Sequence, residues 1–199
     1  MRVNAKSRIN APEALLFKEN IVVLLSNLKN KILNDNYIFI LQVMSFIGLD
    51  GMAAPQLKEV PSSLYSAEKW KGYYISTLAI CHALYHKCKL VHGDLSEYNL
   101  LLHEDKVFVI DFGQAVDISH PSHLDFLGRD IRTLSAFFRR KDVSVIDPEV
   151  ALQLVLMDLP AFFDETFNLN SNPDSEVCSE PVSVEFKERL VASIIELEL

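Results

Sequence analysis

Glycine is scarce in this chain: 199 residues contain 6, and none precedes Gly48. Because glycine is the residue that lets backbone amides come close to a phosphate, its lack before Gly48 excludes a glycine-rich phosphate loop from that part. Cysteine is scarce too. Cys81, Cys88 and Cys178 are odd in number and lack metal-ligand spacing, which excludes a disulfide framework and a zinc ribbon. Cys81 and Cys88, seven apart, fall on one helix face and read as core thiols. No apolar run reaches the eighteen or so residues of a membrane span, and Met1-Arg2-Val3-Asn4-Ala5-Lys6 opens no signal peptide. The expectation is an intracellular, cytoplasmic protein. Positive charge is also short, with 19 Lys and Arg against 27 Asp and Glu and a formal net charge of −8. That balance argues against a surface that grips nucleic acid through its phosphates. Arg139-Arg140-Lys141 is one small basic spot, read as charge stabilising a helix C-terminus.

What is present is a globular composition, 49% hydrophobic, enough for one ordinary domain or part of a larger one. From Ser66 to about Lys87, Trp70, Tyr74, Leu78, Cys81 and Tyr85 recur at three or four, which predicts an amphipathic helix with Trp70 and Tyr74 in the core. A second helix is expected from Ser122 as N-cap, turning Leu124, Leu127, Ile131, Leu134 and Phe138 inward. Val150 to Leu159 and Val184 to Leu197 read as two more. Between them, 168–176 is polar and turn-rich and reads as a surface loop.

The chemistry concentrates between Val91 and Gln114. Phosphoryl transfer needs an acceptor for the attacking hydroxyl's proton, set beside oxygen ligands that hold magnesium on the phosphates of ATP. Asp94 is placed to be the base. Asn99, five residues on, can turn its amide oxygen to the same cleft, and Asp111 arrives at the end of the apolar run Val107-Phe108-Val109-Ile110, which reads as a buried strand. Asn99 and Asp111 are the expected metal ligands. The turn His103-Glu104-Asp105-Lys106 joins Leu100-Leu101-Leu102 to that run as a hairpin, so loop and strand end face one another. His92 is read as fastening the backbone, with no part in the chemistry.

The stretch from Leu90 to Phe138 resembles the RIO family of atypical serine/threonine protein kinases, specifically its one/three branch, whose members read L-V-H-x-D-L-S-E-[FY]-N and then I-D-x-x-Q. Here those residues are Leu90 to Asn99 and Ile110 to Gln114. His120-Pro121, Leu124 to Asp130 and Phe137-Phe138 resemble the family's H-P-x-x-x-x-F-L-x-x-D helix, and Val43 to Gly48 resembles its hinge. The resemblance implies ATP and Mg2+ as cofactors, with Met44 lining the back of the pocket and the backbone of Ser45 and Ile47 facing adenine. It implies transfer of the γ-phosphoryl of ATP to Ser or Thr, or ATP hydrolysis through a phosphorylated aspartate at Asp111. It also implies maturing small ribosomal subunits as partners. Aminoglycoside and choline kinases, and small kinases of tRNA modification, share H-G-D-L-x-x-x-N and I-D-F, but Ser96-Glu97, Gln114 and His120-Pro121 favour the RIO reading. Protein kinases at large carry Arg where Gly93 stands and an A-P-E motif later on. Neither is here, so activation-loop phosphorylation is not an expected control.

By the same resemblance the fold is α+β, a kinase-like fold with a largely complete helical C-terminal lobe at 61–199. Residues 1–60 are expected to be a remnant of the strand-rich N-terminal lobe with the hinge, since Lys6 and Lys18 stand in no strand that follows a glycine loop. Residues 24–42 interrupt what would be a continuous strand into the hinge. Four asparagines among these 19 residues fit either a translated intron or an inserted hairpin turning at Asn34-Asp35-Asn36. The rival to an enzyme is a non-catalytic assembly factor that keeps the lower lobe for docking.

Overall fold

Ser66 starts the helix around which the rest is built. The computed structural model describes residues 46–158 and 182–197, and within them the Ser66 hydroxyl accepts from the Lys69 amide at 3.2 Å to open α1, Ala67–His86. A side chain at this position satisfies one of the amides that a helix start leaves unpaired. α1 is not amphipathic as its spacing suggests. Tyr73, Ile75, Ala79 and Ile80 are buried along with Trp70, Tyr74, Leu78 and Cys81, because the helix has neighbours on all sides. α2 (His123–Arg140) and α3 (Pro148–Leu156) pack on one flank, α4 (Val184–Glu196) and a β-hairpin on the other.

The remaining helices begin where local chemistry directs. Asp147 accepts from the amides of Glu149 and Val150 at 2.9 and 3.3 Å, with Pro148 in the first turn. Ser183 accepts from Phe186 at 3.2 Å. α2 follows Ser122, but its hydroxyl makes no cap bond. Instead its amide donates to His120 Nδ1 at 3.2 Å. Leu127, Ile131, Leu134 and Phe138 form the expected inward stripe. Leu124 does not join them. It is 45% exposed, since the first turn of α2 lies ahead of the point where the helix meets the core.

Among the described residues, three two-stranded antiparallel ladders accompany the helices. β1 (Gly48–Leu49) pairs with β2 (Met52–Ala53), β3 (Leu90–Val91) with β6 (Val116–Asp117), and β4 (Leu100–His103) with β5 (Lys106–Val109). Helices and strands together agree with a mixed α+β class. The β4–β5 hairpin has the sides and turn that its sequence predicts, with Leu100, Leu102, Val107 and Val109 buried.

The basic spot at the end of α2 does more than complement a helix dipole. Arg140 pairs with Glu97 at 2.7 Å, and Lys141 Nζ donates to the Val60 carbonyl at 2.5 Å while lying 5.0 Å from the centre of the Trp70 ring. These contacts clasp two segments to the end of α2, the β3–β4 loop through Glu97 and the stretch after β2 through Val60. Cys81 and Cys88 are buried free thiols, and burial raises both of their pKa values. Among the described residues, no helix is long and apolar enough to cross a membrane. Met44, Ser45, Leu159, Cys178, the 24–42 segment, the 168–176 loop and all of 1–60 before Phe46 lie outside the described residues.

Candidate active site

β3 and β6 bring two ends of one segment together, with Leu90 opposite Asp117 and Val91 opposite Val116. Between these strands the chain makes a loop, the β4–β5 hairpin and a short 3-10 turn at Phe112–Gln114. All the residues expected to carry chemistry sit on this excursion.

His92 ties its two halves. The imidazole is buried, its Nε2 lies 3.1 Å from the Ile110 carbonyl, and its Nδ1 accepts from the Asp94 amide at 3.4 Å. A carbonyl only accepts, so the proton resides on Nε2 and Nδ1 is the acceptor. Burial holds the His92 pKa below its ordinary value, against the opposing pull of the Ile110 carbonyl and the charges of Asp94 and Asp111. The ring is therefore neutral at physiological pH and serves as a fastener, as the sequence suggests. Both carboxylates lie within electrostatic reach of it.

Asn99 is oriented by the loop that carries Asp94. Its Nδ2 donates to the Asp94 carbonyl at 2.8 Å, which leaves Oδ1 as the oxygen to offer a ligand. Its backbone carbonyl accepts from the Ile110 amide at 3.0 Å, extending the hairpin ladder by one step. Asp111 follows in the left-handed region, φ 62° and ψ 72°, a conformation disfavoured for a residue with a Cβ. One of its carboxylate oxygens accepts from the Gly113 amide at 3.2 Å. Asp94 and Asp111 are exposed while Leu100 and Val109, beside Asn99 and Ile110, are fully buried.

These residues suit Mg2+. It is a hard cation that takes oxygen ligands and keeps some of its octahedron for water and phosphate, and Asn99 Oδ1 with the Asp111 carboxylate provides such a pair. Among the described residues no group of three or more His, Cys, Asp and Glu is arranged to hold a metal alone, so the remaining ligands would come from phosphate and water. Of the adenine-facing residues expected from the sequence, Ile47 is described. It packs with Ala54 and Phe108, beside Leu101 and Ile110, so the chain entering β1 touches the strand end that leads to Asp111. The Ile47 carbonyl accepts from the Ala54 amide at 2.9 Å.

Sequence reasoning did not anticipate what holds the loop from below. Asp130, in α2, is buried and takes two backbone bonds, from Gly93 at 2.8 Å and from Leu95 at 3.0 Å, on either side of Asp94. Burial raises its pKa to about 6, opposed by these two amides and by Arg129. The Arg129 guanidinium donates to the Gly93 carbonyl. Gly93 is required here: its φ is +79°, and a Cβ would stand 2.6 Å from the Gln114 carbonyl oxygen. A signal for Asp130 did exist, namely a carboxylate three residues after Leu127 and next to Ile131 on an otherwise apolar stripe.

The family model for the RIO domain matches residues 33–151. Serine/threonine-protein kinase RIO3 of Homo sapiens is 50% identical over 101 residues, which cover 51% of this chain and 19% of that protein. Serine/threonine-protein kinase rio1 of Dictyostelium discoideum is 44% identical over 104 residues, 52% of this chain and 18% of that one. Serine/threonine-protein kinase RIO1 of Saccharomyces cerevisiae is 36% identical over 127 residues, 63% of this chain and 26% of its own. The matched part thus spans between 18% and 26% of the length of these relatives.

Proposed function

The chain belongs to the RIO domain family, and from that premise we propose that it carries the base and metal ligands of a RIO-type serine/threonine kinase. Asp94 would receive the proton of an acceptor hydroxyl on its exposed carboxylate. General-base help of this kind is worth about 10²–10⁴-fold. Asn99 Oδ1 and the Asp111 carboxylate would hold Mg2+, which when bound neutralises charge on the phosphates of ATP. His92, neutral, keeps loop and strand end together, while Asp130 and Arg129 hold the loop backbone from below. The observation that carries the reading is the double attachment of His92, to the Asp94 amide and to the Ile110 carbonyl. It ties the backbone at Asp94 to the residue before Asp111, which supports reading these two as base and metal ligand.

Met44, Ser45 and Ile47 would meet adenine, as the family resemblance suggests, with Ile47 beside Ile110. Hydrolysis of ATP is included in the proposal as an alternative to transfer. Maturing small ribosomal subunits in the cytoplasm are the partner that resemblance supports, an association of fold with function rather than a consequence of the site. Given the net charge of −8, any contact with nucleic acid would belong to the assembly.

Magnesium-dependent phosphate transfer or release by the natural full-length protein tests this. Asp94→Ala is expected to lower kcat at least 10²-fold with Mn2+-ATP binding retained. Asp111→Ala is expected to lose both. Undiminished turnover in either variant overturns the assignment, and a wild-type protein with no turnover favours the non-catalytic docking module.

A further inference from the structure

The turn that closes the β4–β5 hairpin is built from residues that resist its shape. A two-residue hairpin loop with both central residues left-handed is ordinarily made from Asn-Gly, Asp-Gly or Gly-Gly. Here the two are Glu104 at φ 48° and Asp105 at φ 61°. Left-handed backbone is disfavoured for any residue with a Cβ, though less so for Asp. Apolar packing at the tip does little to enforce it. Glu104, Asp105 and Lys106 are exposed, and two cavities of about 150 and about 300 Å3 that share Ser76, Asp105 and Ser193 flank the tip.

What grips the tip is polar and comes from α1. Tyr73 Oη donates to Asp105 Oδ1 at 3.1 Å, and Lys69 Nζ lies 3.3 Å from Oδ2, so both carboxylate oxygens are engaged. Tyr73 is itself buried, and Lys69 stands 5.6 Å from the centre of its ring. The two anchors are one helical turn apart on the central helix, which makes them a firm base.

The loop type of a hairpin fixes the register of its strands, and a slip of one residue turns every side chain to the other face. In this hairpin the register runs from His103 opposite Lys106 to Leu100 opposite Val109. Asn99 and Ile110 form the next step, bonded at 3.0 Å, and Asp111 follows. Four pairs of strand residues span about 13 Å. We propose that the Lys69–Asp105–Tyr73 contact is a positioning device for the candidate active site: it locks a left-handed turn, fixes the register of β4 on β5, and so sets the stagger of Asn99 against Asp111. Lys69, then Tyr73, holds the Asp105 carboxyl below its ordinary pKa, so the contact is ionised at neutral pH. The inference rests on the reading of Asn99 and Asp111 as paired metal ligands, but the register can be measured without any nucleotide.

Amide hydrogen exchange on the 199-residue chain provides the test, read at Ile110, whose amide bonds to Asn99, and at Leu134 in α2. Asp105→Ala removes the grip and keeps the Cβ, and is expected to speed exchange at Ile110 about tenfold, the scale of one hydrogen bond to a charged group, with Leu134 unchanged. Asp105→Gly also removes the grip but adopts the left-handed turn freely, and is expected to restore Ile110 toward the wild-type rate. Tyr73→Phe, which keeps the ring in the core, should fall between wild type and Asp105→Ala. An unaltered Ile110 in Asp105→Ala, or an equal rise at Leu134, overturns the device. Weaker Mn2+-ATP binding in Asp105→Ala, rescued in Asp105→Gly, is the corresponding readout at the site. If the natural full-length protein binds no Mn2+-ATP while Ile110 responds as expected, the metal-ligand reading fails and the register mechanism stands.

Discussion

Asp130 accepts the amides on both sides of Asp94, the proposed base, and its ionised form presents two strong acceptor oxygens to them. With its pKa raised to about 6, acidification through that value puts a proton on one oxygen and makes it a weaker acceptor for its amide. For the natural full-length protein, whose kinase activity is the proposal above, an activity profile with an acid limb near pH 6 is the expected outcome. Asp130→Asn, which places an NH2 permanently against one amide, should lower kcat about tenfold or more, leave Mn2+-ATP affinity little changed, and abolish that limb. A limb that persists in Asp130→Asn belongs to another group. The stability contribution of Asp130 runs the opposite way. Between the ordinary carboxylate pKa and about 6 the folded chain holds a proton that the unfolded chain has released, so this contribution falls as pH rises through that window. His92, whose pKa is lowered, contributes stability that is present above its ordinary value and lost as pH falls through its folded value. At this scale the sequence was most legible where partners are near along the chain. His92, Asn99 and Asp111 stand at motif spacing. The Gly93–Asp130 bond joins residues 37 apart, and no local pattern states which backbone a lone inward carboxylate will meet.

Helices were legible from their apolar spacing and less so from their caps: Ser122, read as the N-cap of α2, makes no side-chain cap bond, whereas the caps that do form at Asp147 and Ser183 were not read from the sequence. The hairpin was legible because alternation and turn coincide. Two elements departed from their patterns for tertiary reasons. α1 is buried on faces that its spacing leaves polar, because α4 and the hairpin cover them. α2 begins before it reaches the core, so the periodicity that places Leu124 and Phe138 on one stripe does not make them equivalent. Phe138 is fully buried, its ring centroid 5.3 Å from that of Tyr74 and 5.0 Å from that of Phe137. Chemical denaturation should show Phe138→Ala losing about 3–5 kcal/mol and Leu124→Ala within about 0.5 kcal/mol of wild type. Similar losses at both positions would mean that the stripe is continuous after all.

For the whole molecule, the site divides between what this chain supplies and what phosphoryl transfer further requires. A base and a pair of metal ligands provide the smaller share of the acceleration, and most comes from positioning the phosphates and neutralising their charge. No glycine precedes Gly48 to form a loop over them, and the stretch matched to the relatives makes up only 18% to 26% of their length. Calorimetry and a phosphate-release assay on these 199 residues alone are expected to show weak Mg2+-ATP binding and very slow turnover, whereas a longer protein that adds a glycine-rich loop and a strand lysine is expected to be active. Robust turnover by the 199 residues would place the phosphate clamp inside them. The lobe division and the 24–42 segment were argued from family resemblance, because strand pairing across lobes leaves no periodic trace in a single sequence. The interleaving of site and core along the hairpin has a further consequence at the level of the gene. Asn99 abuts Leu100, and Ile110 with Val109 abuts Asp111, so a codon gained or lost within either strand, shifting β5 on β4 by one residue, would put an aliphatic side chain at the cleft in place of the Asp111 carboxylate and turn a carboxylate toward the interior. Substitutions in this stretch are therefore expected to be tolerated better than insertions or deletions within its two strands.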